Sequence, residues 1–305
     1  MLIKPGPFNR GKGQEDGDMM QLLHLNLDGA WQDGELSLPM RDLRPWGPRL
    51  RYCAPETEVE AFDKSLGEEL PPFILYGSGD FHYLAALWVR RAARPARERT
   101  SRGQFTVVSF DNHPDWDIRP PRWACGGWIC RALEIPGLHA SVWGCGNFEL
   151  AWPARLFANR AALADGRLTV YAWAERQKPA VRRRFDCMSR SGWRQRFDRF
   201  VTGLAGGDVY VTVDLDCLRA DQAVTNWENG LFTAEDVAWA IGSIRNSARV
   251  VGGDLCGAWS RPAYARWRQR FAGNWDHPKL PEPNEAHARS VNSAALAKIW
   301  PALTG

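Results

Sequence analysis

The chain has 305 residues, 45% of them hydrophobic, which is enough for one large α/β domain with a substantial core. Its 39 basic and 35 acidic residues are scattered and leave a net charge of only +4, which excludes the strongly basic face of a nucleic-acid-binding protein. Seven cysteines, at 53, 125, 130, 145, 187, 217 and 256, form neither an even disulfide framework nor a CxxC pair, so a reduced, cytoplasmic setting is expected.

Residues 1–19 are rich in glycine, proline and charge and read as a flexible leader without the apolar core of a signal peptide. No later segment supplies the roughly 18 apolar residues of a membrane helix. LLHLNLDGAW (22–31) alternates like a first strand, and FILYGSGD (73–80) is a second that passes through glycines into the apolar-periodic helix YLAALWVRRAA. The basic run RRAARPARER (90–99) reads as a solvated helix end and loop. FTVVSF (105–110) is the third strand. HASVWGCG (139–146), LTVYAW (168–173), VYVTVDLD (209–216) and ARVVGGDLCG (248–257) follow at intervals filled by helical or polar segments. FTAEDVAWAIGSI (232–244) reads as a capped helix, with Thr233 three residues before Asp236. This alternation predicts an α/β fold, a single domain over residues 20–260 with a mostly parallel sheet sandwiched by helices. From residue 261 the chain turns polar and rich in Trp and Pro until VNSAALAKIWPAL. Residues 261–305 are therefore expected to be a C-terminal extension packed on the domain.

Two of these strands end in chemistry. VVSFDNHPDWD (107–117) delivers Asp111, His113 and Asp115, and VYVTVDLDC (209–217) delivers Asp214 and Asp216. Buried parallel strands carry such side chains to the carboxyl rim of the sheet, where open α/β folds place their ligand sites. Four carboxylates converging there are unfavourable without a cation, so these residues point to a metal site.

Asp-x-His-x-Asp at one strand end and Asp-x-Asp at another, about a hundred residues on, resemble the arginase and agmatinase (ureohydrolase) family and, more distantly, histone deacetylases. The resemblance implies an arginase-like three-layer α/β/α fold. It also implies two Mn(II) ions per chain, a metal set of His82, Asp111, His113, Asp115, Asp214 and Asp216, and a family that often forms homo-oligomers. His82, in YGSGDFHYL, stands one residue later than the family pattern because Phe81 follows Asp80. The activity implied is a manganese-dependent amidinohydrolase. A metal-bridging hydroxide, hydrogen-bonded to Asp115, would cleave an arginine derivative, an agmatine-like compound or an arginine-containing peptide to urea and an amine.

The substrate side of the resemblance departs from the family. A glutamate expected three residues after Asp254 is replaced by Gly257, which leaves Asp254 itself as a catalytic candidate and Glu228 as an alternative anchor. Asn147 and Glu149, in WGCGNFEL, are candidate substrate-binding residues, with a loop cap as the other reading of Asn147. Arg119, Arg122, Trp116 and Trp123 are expected to wall the mouth, and the family's shuttle histidine has no counterpart. The remaining histidines, His24, His139, His277 and His287, are expected to be structural or superficial. A metal-dependent deacetylase or amide hydrolase and a non-catalytic family member stay open as alternatives.

Overall fold

The computed structural model describes residues 22–31, 38–99 and 105–305, so the expected leader at 1–19 lies outside the described residues. Nine strands form one sheet, parallel at every pairing. From one edge it runs β2 (Met40–Asp42), β1 (Leu22–Asn26), β4 (Phe73–Leu75), β11 (Arg249–Cys256) and β10 (Asp208–Asp214). It continues through β5 (Phe105–Phe110), β7 (Leu138–Cys145) and β8 (Leu168–Trp173) to β9 (Asp186–Met188). A separate antiparallel pair joins β3 (Cys53–Ala54) to β6 (Trp123–Ala124).

The central strands lack the polar alternation of a half-exposed sheet because both of their faces are covered. Val107 and Tyr210 belong to the core on one face, with Leu84 and Trp88. Val108, Phe110, Val209, Val211 and Val213 belong to the core on the other. The first layer includes α1 (Glu56–Ser65) and α2 (Ala85–Arg99), and α2 runs past the expected break in the basic stretch. The second contains α3 (Trp193–Thr202) and α4 (Ala234–Ser247), where the Thr233 hydroxyl accepts from Asp236 N and the Asp236 carboxylate accepts from Thr233 N. Beyond them come α5 (Trp267–Asp276) and α6 (Glu285–Thr304), and α6 places Leu296, Ile299 and Leu303 in the second core. The result is the three-layer α/β/α sandwich.

The first strand stops at Asn26, earlier than its alternation suggests. Asn26 Oδ1 accepts from Gly29 N at 2.9 Å and Asp28 Oδ1 from Ala30 N at 3.2 Å, so local side chains divert the backbone into a turn. The adjacent β5 and β10 are in register with Val213 opposite Phe110, so Asp111 and Asp214 leave the sheet side by side. No helix among the described residues is long and apolar enough to cross a membrane.

Candidate metal centre

Three segments build the site at the carboxyl rim. The loop after β5 supplies Asp111, His113 and Asp115. The end of β10 and its following turn supply Asp214 and Asp216, and the 3-10 turn Gly79–Leu84 after β4 supplies His82. His82 Nδ1 lies 3.0 Å from Asp111 Oδ2, 3.3 Å from Asp115 Oδ2 and 3.6 Å from Asp214 Oδ2. His113 Nδ1 lies 2.8 Å from Asp216 Oδ2 and 3.6 Å from Asp111 Oδ1. His82 with Asp111 and Asp115, and Asp111 with His113 and Asp216, therefore form two candidate ligand clusters that share Asp111. A third combines His82, Asp214 and Cys256. The extra residue in the 82 turn is absorbed because Phe81 turns into the core, which leaves His82 facing the acids.

The outer nitrogens fix the imidazoles. Thr212 Oγ1 donates its single proton to Asp254 Oδ1 at 2.8 Å, so the 2.9 Å contact between His82 Nε2 and Thr212 Oγ1 has the ring as donor. In the neutral ring Nδ1 is then a lone pair pointing at carboxylate oxygens, a position that either a proton or a metal ion can fill, and it faces Asp111 Oδ2 at 3.0 Å. Both features call for a cation between them. His113 has a carboxylate on its outer side, with Glu228 Oε2 3.6 Å from its Nε2. Asp115 sits at φ +46°, an uncommon backbone for a non-glycine residue, and Trp128 Nε1 donates to its Oδ2 at 2.6 Å.

The electrostatics agree. Burial, reinforced by Asp111, pushes Asp115 up to about 8 and Asp216 up to about 6. Burial and the neighbouring Asp216 also raise Asp214. Burial opposes charge on the imidazoles, yet the facing carboxylates push both His82 and His113 well up. The cluster holds more negative charge than its surroundings solvate, and it fits bound divalent cations.

Asp254 corrects an expectation. It is fully buried beneath His82 and accepts from Tyr76 Oη at 3.0 Å, Tyr210 Oη at 2.8 Å and Thr212 Oγ1, and it is not among the residues that line the pocket. It is linked to His82 through Thr212. Glu149 lines the pocket, whereas Asn147 caps the turn before it, its Oδ1 accepting from Glu149 N at 3.3 Å. Glu228 braces His113 from outside the lining. Trp116 and Trp123 are buried in the core, Arg119 and Arg122 pair with Asp117 and Glu134, and none of the four is among the residues that line the pocket. Trp227, Cys125 and Asp276 line it instead.

Asp276 was not singled out from sequence and His277 was expected to be structural or superficial, although an Asp-His pair in a tryptophan-rich stretch is a usable signal. His277 Nε2 lies 2.6 Å from Asp80 Oδ1, and Arg51 Nε donates to Asp80 Oδ2 at 2.6 Å. Burial alone would raise the Asp80 carboxyl, but Arg51 and His277 hold it at about 2. This buried network ties the segment after β11 to the rim of the site.

Neither a family model nor a curated protein sequence matches this chain. Among solved structures it is similar to formimidoylglutamase from Bacillus subtilis, at 13% identity and a TM-score of 0.52, covering 93% of this chain and 85% of that one. It is also similar to arginase from Medicago truncatula, at 14% identity and a TM-score of 0.50, again covering 93% and 85%. Likeness at this identity establishes a shared fold across nearly the whole chain.

Proposed function

We propose that this chain, which has the fold of those hydrolases, is a divergent ureohydrolase, an amidinohydrolase with two manganese ions per chain that releases urea from a guanidino compound. The observation that carries the reading is the convergence of three candidate ligand clusters, two of them sharing Asp111, in which His82, Asp111, His113, Asp115, Asp214 and Asp216 arrive from three separate segments. His82, Asp111, Asp115 and Asp214 would hold one ion, and His113, Asp111, Asp214 and Asp216 the other. A donor set of four carboxylates and two imidazoles suits Mn(II) better than the nitrogen- and sulfur-preferring Zn(II). Bound there, two divalent cations neutralise the four carboxylates and supply Lewis-acid activation of water.

The chain's own groups do the rest. Asp115, held by the Trp128 indole and facing His82, is placed to accept the proton of the attacking water. Thr212 and Asp254 orient His82 through its outer nitrogen, and the Glu228 carboxylate faces the outer nitrogen of His113. The pocket that would receive the substrate opens at the rim of the sheet, between the two histidines and Glu149, Trp227 and Asp276. Among the described residues its lining contains acids and no lysine or arginine, which supports a cationic substrate over the neutral amide of a deacetylase. Urea release from free, decarboxylated and peptidyl arginine, run beside acetyl-amine turnover, tests this. Urea above background supports the assignment, and acetyl turnover without urea would overturn it.

A further inference from the structure

Gly257 lies against Asp214, and its position admits no side chain. Its backbone has φ +103°, and a Cβ there would meet Asp214 Oδ1 at 2.2 Å and Leu215 N at 2.4 Å. A substrate cation must therefore be held from elsewhere. Two carboxyl groups line the pocket outside the expected metal set, Glu149 and Asp276. Two divalent ions would match the four ligand carboxylates charge for charge, which leaves these two acids outside the metal balance, with Arg119, itself paired to Asp117, as the neighbouring cation. Glu149 Oε2 is buried without a hydrogen-bond partner, a position in which an ionised carboxylate is costly unless a cation donates to it. Burial accordingly pushes Glu149 up to about 7.

Asp276 comes from the last residue of α5, and the surroundings fix it. The Tyr52 hydroxyl donates to Asp276 Oδ2 at 3.0 Å, and the Tyr52 ring packs against Trp227 and His277. Tyr52 itself sits at φ +68°, a strained backbone that persists because its N–H donates to Asp80 O and its carbonyl accepts from Cys125 N, both at 3.0 Å. Helix α5 is anchored beside it, where Arg266 Nη2 donates to Cys53 O at 3.3 Å and Gln269 Nε2 donates to Arg51 O.

We infer that Glu149 and Asp276 together form the cation-holding subsite of this pocket, so that the C-terminal segment selects guanidinium-bearing substrates. The inference rests on the amidinohydrolase reading for the identity of the cation. Guanidinium presents five donors in a planar fork, which two carboxylates from different elements can bracket.

The test is equilibrium binding of butylguanidine and its uncharged counterpart butylurea to the manganese-loaded full chain. The variants are Asp276→Asn and Glu149→Gln, with metal content and thermal midpoint measured alongside. Wild type is expected to prefer butylguanidine by at least about ten-fold, and each variant to lose about ten-fold for butylguanidine alone. An unchanged preference in both variants would overturn the subsite, and so would urea release at unchanged kcat/KM. A preference that the variants lose, in a protein that releases urea from no guanidino compound, would sustain the subsite and remove the amidinohydrolase reading instead. Because Asp276 is exposed and Glu149 is not, a folding defect in the second variant leaves the first as a clean measurement.

Discussion

Placing a side chain at residue 257 should damage the protein in a way that the structure lets one size. Gly257→Ala forces a Cβ into a backbone at φ +103°, a conformation that costs of order 1–3 kcal/mol for a non-glycine residue. The same methyl would stand 2.2 Å from Asp214 Oδ1 and 2.4 Å from a backbone nitrogen. Relieving that overlap adds about 1–3 kcal/mol of overpacking strain. The sum, about 2–6 kcal/mol, is a large share of a typical stability of about 5–15 kcal/mol. Because Asp214 must move to make room, manganese affinity should fall with stability, and Gly257→Glu should be no better than alanine. Urea denaturation of the metal-free proteins, with manganese titration of the loaded ones, measures both effects. If both variants stay within about 0.5 kcal/mol of wild type and bind manganese normally, the space is open and a side chain at 257 could serve as anchor after all.

Three other outcomes are expected. Thr212→Val removes the link between His82 Nε2 and Asp254, and should weaken metal binding about 10- to 100-fold; unchanged affinity would mean that His82 is held by packing alone. Arg51→Met leaves Asp28 and Asp80 buried without their cation, and should cost about 3–5 kcal/mol in denaturation and expose the α5 region to hydrogen exchange. A loss below about 1 kcal/mol would show that the network contributes little. Thr233→Ala removes the side-chain acceptor for Asp236 N, and should cost about 1 kcal/mol with metal content unaltered, so a change in metal content would contradict the distance between cap and site.

The sheet was legible because its central strands are buried on both faces. Continuous β-branched runs such as FTVVSF and VYVTVD have little else to be in a chain of this composition. The short strands β2, β3, β6 and β9 were not legible, since two or three residues carry no period. The clustering of Asp111, His113, Asp115, Asp214 and Asp216 followed from strand-end position alone, because residues that follow paired β-ladders must emerge together. His82 needed the resemblance, and its reach depended on where the extra Phe81 went, which is a packing question. Asp254 misled because an aspartate at the end of a late strand looks the same in sequence whether it faces the pocket or three buried hydroxyls. Asp276 was hidden for a different reason: the fold, rather than any local pattern, brings α5 back across the rim, and the polar, Pro-rich stretch around it reads as a tail.

Manganese stoichiometry tests the central claim most directly. Protein stripped with chelator, titrated with Mn(II) and counted by elemental analysis after desalting should retain two ions per chain, with Asp111→Ala, which removes the residue common to both clusters, retaining neither. One ion or none in the wild-type chain, or two in Asp111→Ala, would contradict the binuclear site on which the proposed chemistry rests.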